Sequence, residues 1–126
     1  LNLDSAEAEK AKVNNGIENI ENGNPIFSAV SPLIENLVME IMKTMDFYNE
    51  MSKKPQGIDR VILCGGGSAM KGLPEYLHGR IGKEVIIGNP WINLKMDNNL
   101  PALNKEASVR YATAIGLAIR GLNYGN

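Results

Sequence analysis

The sequence holds one cysteine, Cys64, and one histidine, His78. That scarcity excludes a disulfide framework and a multi-thiol zinc site. Basic residues are in no excess: 13 Lys+Arg stand against 14 Asp+Glu, a net charge of −1, so no basic face points to DNA or RNA. No run approaches the roughly 20 apolar residues that a membrane-spanning helix needs, and none is expected. Internal repeats and low-complexity tracts are absent from the sequence. The chain starts at Leu1 without an initiator Met or a basic-then-apolar leader, which reads as a piece of something longer and not as a signal peptide. A lone thiol in an apolar run suits a reducing compartment, so a cytoplasmic location is expected. What is present is 126 residues, 44% of them hydrophobic, enough for one domain with its own core.

Leu1 to Gly16 reads as a short helix. Asp4 and Glu7 stand three apart like a capping box, and Asn14, Asn15 and Gly16 are residues that end helices. Residues 17–30 show no lasting period and are expected to be loop, with room for a short irregular strand. Ser31-Pro32 is a helix start, since Pro at the first helical position loses nothing by lacking an N–H. Leu33, Ile34, Leu37, Val38, Ile41, Met42 and Met45 then recur at helical spacing, and such a stripe is expected to be core. Asp59 to Cys64 reads as a buried strand, and Cys64 as a small buried hydrophobe. A short helix from Leu73 to Arg80 and a second strand, Glu84 to Ile87, follow. Strand, helix, strand implies two parallel neighbours. Residues 88–105 form a long loop pinned by Trp91, and Glu106 to Leu122 is the last helix. His78, Glu18 and Glu21 read as surface groups, because no ligand or carboxylate partner accompanies them.

The chemistry-bearing feature is Gly65-Gly66-Gly67 straight after a strand. Without a Cβ the backbone can take positive φ and lets a ligand approach closely. Two phosphate motifs fail here. A P-loop needs Gly directly before Lys-Ser/Thr, and Met70-Lys71-Gly72 breaks that; the dinucleotide fingerprint needs a third Gly where Met70 stands. Spacing alone therefore leaves two readings open, a structural tight turn or a ligand-touching one.

The longer string Val61-Ile62-Leu63-Cys64-Gly65-Gly66-Gly67-Ser68-Ala69-Met70-Lys71-Gly72-Leu73 closely resembles the adenosine motif of the actin-like ATPase superfamily. Ala8-Glu9-Lys10-Ala11-Lys12 looks like the superfamily's Glu-x-x-Lys helix, which reaches the ribose and base. Ala112-Thr113-Ala114-Ile115-Gly116-Leu117-Ala118 looks like its small-residue hinge helix. Within the superfamily, Met45-Asp46-Phe47-Tyr48 and the Gly88-Asn89-Pro90 turn look most like the FtsA-related PilM family of type IV pilus assembly. Lys71 departs from the Pro often found before Gly72.

The resemblance implies an α/β fold: part of the second lobe of an actin-like, ribonuclease H-like fold, helix-rich with a short parallel strand pair. It places 1–30 in the outer subdomain and 31–126 in the inner one. It implies that Gly65, Gly66 and Gly67 pass beneath the α-phosphate and sugar of ATP or ADP, that Ala69 and Met70 form part of the adenine wall, and that Glu9 and Lys12 close over the ribose and base. The two phosphate-binding hairpins that hold the β- and γ-phosphates and magnesium have no counterpart here, so no catalytic or metal-binding residue is expected and the chain alone is not expected to be an enzyme. The implied role is a cytoplasmic ATP-binding platform that holds the cytoplasmic tail of the inner-membrane protein PilN. An FtsA-like cell-division protein, a sugar or acyl kinase of the same superfamily, and an interaction domain without nucleotide remain as alternatives. Ala112, Gly116 and Ala118 form a small-residue strip on the last helix, expected to be partly uncovered or covered by a second copy of the chain.

Overall fold

The computed structural model describes residues 4–18, 24–52, 57–92, 94 and 105–124. Five helices and two strands follow in the order α1 (Ser5–Asn14), α2 (Pro25–Met51), β1 (Arg60–Leu63), α3 (Leu73–Ile81), β2 (Glu84–Ile87), α4 (Lys105–Ser108) and α5 (Ala112–Tyr124) among the described residues. Two 3-10 turns, Gly66–Ala69 and Val109–Tyr111, complete the path. The strands pair as a short parallel two-stranded sheet, as the strand–helix–strand order requires. The helix-rich α/β class expected from the sequence is the one observed. The chain divides into two compact units, one of Leu1–Val61 with Met70–Ile86 and one of Ile62–Ala69 with Ile87–Asn126.

In the first unit, α1 begins with the expected capping pair. The Asp4 carboxylate accepts from the Glu7 N–H at 2.7 Å, and the Asp4 N–H donates to Glu7 Oε2 at 3.4 Å. After α1 the chain turns at Gly16, whose φ of +53° is left-handed. Ile17, 1% exposed, follows as a core residue.

Helix α2 starts seven residues earlier than the Ser31-Pro32 signal suggests. Its cap is Asn24, with Pro25 in the first turn; the Asn24 side chain accepts from the N–H groups of Ile26 and Phe27 at 2.9 and 3.3 Å. Residues 25–30, expected to be loop, are therefore helical, and Pro32 lies inside the helix. Proline there removes the N–H that would serve the Ser28 carbonyl. The Ser31 hydroxyl donates to that carbonyl instead, at 3.4 Å.

The longer α2 also corrects the expectation about apolar length, since by length and composition it could cross a membrane. Within this unit it packs along one strip. Ile26, Ile34 and Val38 are buried, and Glu35 on the same helix forms an ion pair with Arg80 of α3. The Met-bearing stripe is not all core, however. Leu33, Leu37 and Met42 are exposed, Ile41 and Met45 half-buried. Helix α3 offers only nine residues of cover, so it shields one narrow strip of a 27-residue helix.

Helix α3, expected over Leu73 to Arg80, buries Leu73 and Leu77 and ends at Gly82, φ +65°. It meets α2 through Phe27 and Tyr76, whose ring centroids lie 5.5 Å apart at 59°, a tilted geometry that aromatic pairs favour. Exposure along β1 alternates between exposed and half-buried. That alternation overturns the buried strand and the buried Cys64. Ile62 is 56% exposed and Cys64 is exposed as well, because residues two apart in a strand share a face.

In the second unit, Ser68, Ser108 and Val109 are buried, the last two completely. The expected last helix is broken there into α4, a 3-10 turn and α5. Of the small-residue strip, Gly116 and Ala118 are exposed and Ala112 half-buried, and a Cβ built on Gly116 would meet nothing within 4 Å among the described residues. Trp91 is half-buried, and its backbone N–H donates to Asn89 Oδ1 at 3.1 Å. Glu21 and residues 95–104 of the expected loop lie outside the described residues.

Candidate functional site

The turn after β1 is fixed by three hydrogen bonds. The Gly65 carbonyl accepts from both the N–H (3.1 Å) and the hydroxyl (2.7 Å) of Ser68. The Gly65 N–H donates to the Val109 carbonyl at 3.2 Å. Ser68 and Val109 are buried, so the ends of these bonds are anchored in the unit's core. Only Gly65 of the three glycines has positive φ, +95°. The conformational demand for glycine thus falls on Gly65, while Gly66 and Gly67 take the ordinary backbone of a 3-10 turn.

What Gly66 and Gly67 leave is space. Both are exposed. A Cβ built at Gly65 or Gly67 would meet nothing within 4 Å, and one at Gly66 would meet only Arg110 Cγ, at 3.9 Å, among the described residues. Ala69 is half-buried at the end of the turn. An open, glycine-surfaced backbone held in one conformation is what close approach by a ligand requires.

Glycine serves differently at Gly88. A Cβ there would lie 2.7 Å from Cys64 Sγ and 3.2 Å from Ile62 Cγ2. The Gly88 N–H also donates to the Leu63 carbonyl at 2.9 Å. Gly88 is a packing position beneath the strand end, and the Gly88-Asn89-Pro90 string carries no mark of it.

Met70, Glu9 and Lys12 belong to the first unit. Met70 is 9% exposed, and its carbonyl accepts from the Leu73 N–H at 3.2 Å. Glu9 and Lys12 lie three apart on α1, and their side chains fall outside the described residues. The end of α1 is fastened to the residue after Met70. The Ile17 N–H donates to the Lys71 carbonyl at 2.9 Å, and Lys71 Nζ donates to the Asn14 carbonyl at 3.1 Å. Gly16 makes that approach possible, since a Cβ on it would lie 2.3 Å from the Lys71 carbonyl oxygen. Gly72, at φ +78°, packs against Glu18 in the same way. Lys71 thus fills the place of the usual Pro with a clip to α1.

Asn24 ties the same region together. Its Nδ2 donates to the carbonyls of Gly16 (3.1 Å) and Glu18 (2.7 Å) while its Oδ1 caps α2. Sequence reasoning passed over this residue because an Asn before Pro reads as an ordinary turn.

The electrostatic centre of the first unit lies elsewhere. The Tyr76 hydroxyl and Arg80 both donate to the Glu35 carboxylate. The Tyr76 hydrogen bond, then Arg80, hold the Glu35 carboxyl below its ordinary range against an opposing effect of burial. The same hydrogen bond, helped by burial, pushes the Tyr76 hydroxyl up. These residues stand 41 and 45 positions apart, a separation with no sequence signature. They join α2 to α3, and their contacts are those of a structural clasp.

His78 is exposed, with Nδ1 2.8 Å from the Lys83 carbonyl, a satisfied surface histidine as expected. No group of His, Cys, Asp or Glu among the described residues could hold a metal ion. Among the described residues, two surface grooves lie in the first unit. One, of about 360 Å³, is walled by Ile41, Met45, Ile58 and Val61; the other, of about 260 Å³, by Pro74, His78 and Val85. Neither includes a candidate residue.

The chain as a whole resembles known proteins. The family model described as type IV pilus assembly protein PilM matches residues 1–122. Among solved structures, the chain is similar to one of a "PilM-PilN type IV pilus biogenesis complex". The identity is 27% and the TM-score 0.73, covering 96% of this chain and 33% of that one. This chain therefore spans about a third of the length of that solved chain. The curated proteins give no match.

Proposed function

Because the chain belongs to the PilM family of type IV pilus assembly proteins, we propose that it is the adenosine-binding portion of a cytoplasmic platform protein for pilus assembly. The observation that carries the reading is the rigid, open glycine turn, which stands within the matched residues and resembles an adenosine motif.

On this reading Gly65, Gly66 and Gly67 run beneath the sugar and α-phosphate of ATP or ADP. Ala69 and Met70 supply apolar wall for the adenine, and Glu9 and Lys12 supply polar contacts to the ribose and base. The open space over Gly65 and Gly67 fits such a group; a side chain at either would occupy it. Bound ATP would supply phosphate charge and, through magnesium, a link to residues of the remaining two-thirds of a PilM-like protein. The residues named here bind and orient; none of them transfers a phosphoryl group. Phosphoryl transfer depends on positioning and charge neutralisation around the β- and γ-phosphates, and the phosphate hairpins that do this lie outside this chain.

The similar solved structure is of a complex of PilM with PilN. By that likeness, the full-length protein carrying this chain binds a PilN tail and works at the inner membrane through that partner. The test of the nucleotide reading is calorimetric titration of the full-length protein with ATP in the presence of magnesium. Saturable, stoichiometric binding is expected. No heat of binding, in protein that still captures a PilN peptide, would leave pilus assembly standing and remove the nucleotide.

A further inference from the structure

We propose that Lys71 is a positioning residue for the nucleotide: it sets helix α1, which carries Glu9 and Lys12, relative to Met70. The inference rests on the nucleotide reading above, in which those residues meet the ribose and base. Met70, Lys71 and α1 all belong to the first compact unit. The described side chains of α1 do not anchor it there. Ser5, Ala6, Glu7, Ala8, Lys10 and Asn14 are all exposed.

The helix is held at its carboxyl end. Asn24 and the Lys71 carbonyl secure residues 16–18, which lie beyond the helix, with the left-handed Gly16 at the turn. Lys71 Nζ reaches past that turn to the last residue of α1, donating to the Asn14 carbonyl at 3.1 Å. The closing carbonyls of a helix lack partners within it and form the negative end of its dipole, so an ammonium group is well placed there. Lys71 directly follows Met70, which is 9% exposed and whose carbonyl is bonded to the Leu73 N–H. One lysine thus has its backbone beside the adenine wall and its side chain on the helix. Lys12 and Glu9 precede Asn14 by two and five residues, about 3 and 8 Å along the axis, so a tilt released at Asn14 moves both. A proline in place of Lys71 would have no side-chain donor to make this link.

The experiment titrates the full-length protein and its Lys71→Met and Lys71→Arg variants with magnesium ATP and with adenosine. Lys71 is exposed, so unfolding midpoints recorded alongside are expected to stay close to wild type. Lys71→Met is expected to weaken both ligands by the same factor, about fivefold, the loss of one hydrogen bond. Lys71→Arg, which keeps a cationic donor, should recover most of it. In a Glu9→Ala, Lys12→Ala background, Lys71→Met should cost nothing further, because the side chains it positions are gone. The full loss repeated in that background would overturn the proposal by making Lys71 a general support of the unit. A loss confined to ATP would overturn it by making Lys71 a direct phosphate contact. Unchanged binding in Lys71→Met would overturn it while leaving the nucleotide reading intact, and a wild type that binds neither ligand would overturn both.

Discussion

At the residue scale, the three glycines separate into two kinds, and the separation is testable. Gly65 needs its left-handed φ, so Gly65→Ala should cost about 1–2 kcal/mol of stability whether or not a ligand exists. Gly67 has ordinary backbone, and a Cβ built on it would meet nothing within 4 Å among the described residues. Gly67→Val should leave the urea midpoint nearly unchanged while filling the space above the turn. Equal destabilisation by the two substitutions would contradict the assignment of strain to Gly65 alone. Gly88 gives a third case. Gly88→Ala drives a Cβ into Cys64 Sγ, so it should destabilise, and Cys64→Ala in the same chain should recover part of the loss in a double-mutant cycle. Additive effects of the two changes would show that the two side chains do not meet. The glycine string itself was legible in the sequence. Which glycine bears the strain was not, because Gly65 is held by hydrogen bonds to Ser68 and Val109 that the glycine string does not reveal.

At the element scale, the ends of α1 and α3 were legible, as was the pairing of strand types. The start of α2 and the burial of its stripe were not. Two Asn/Ser-Pro signals stand seven residues apart, and local chemistry does not choose between them. The choice is made by Asn24, which caps α2 while bonding two carbonyls at the end of the preceding turn. Asn24→Ala should therefore cost about 1–2 kcal/mol, near the upper end for a helix cap, measured by chemical denaturation. A loss of only a few tenths would mean the two carbonyl bonds contribute nothing.

The α2–α3 contact carries its own pH signature. Glu35 is held below its ordinary value of 4.5 by Tyr76 and then Arg80. Its contribution to stability is complete above that ordinary value and is lost as pH falls through the lower, folded one. Tyr76 is held above its ordinary value of 10.0, chiefly by Glu35, so its contribution is complete below 10.0 and is lost as pH rises through the raised value. Glu35→Gln should flatten both limbs of the stability–pH curve relative to wild type. A variant curve parallel to wild type at both ends would contradict the assigned hydrogen bonds.

At the scale of the whole molecule, belonging to the PilM family explains why so much apolar surface is left over. Among the described residues, Leu33, Phe47, Met51, Leu117 and Leu122 are each more than 60% exposed, and the sheet has two strands. A chain matching a third of a solved relative has surfaces that the other two-thirds would be expected to meet. Nucleotide affinity should be divided in the same way. These 126 residues alone, checked for helical signal by circular dichroism, are expected to bind ATP no more tightly than about millimolar, roughly −4 kcal/mol. On the proposed reading they carry the turn that meets the adenosine and not the residues that meet the outer phosphates and magnesium. Micromolar, magnesium-dependent binding by this chain alone would contradict that division.

The central claim is that the glycine turn is a ligand surface. It is tested most directly by calorimetric titration of the full-length protein and its Gly67→Val variant with magnesium ATP, thermal unfolding of both being recorded alongside. Matching unfolding midpoints are predicted, with a loss of nucleotide binding of about 100-fold or more in the variant, about 3 kcal/mol. Undiminished ATP binding by a folded Gly67→Val protein would contradict it.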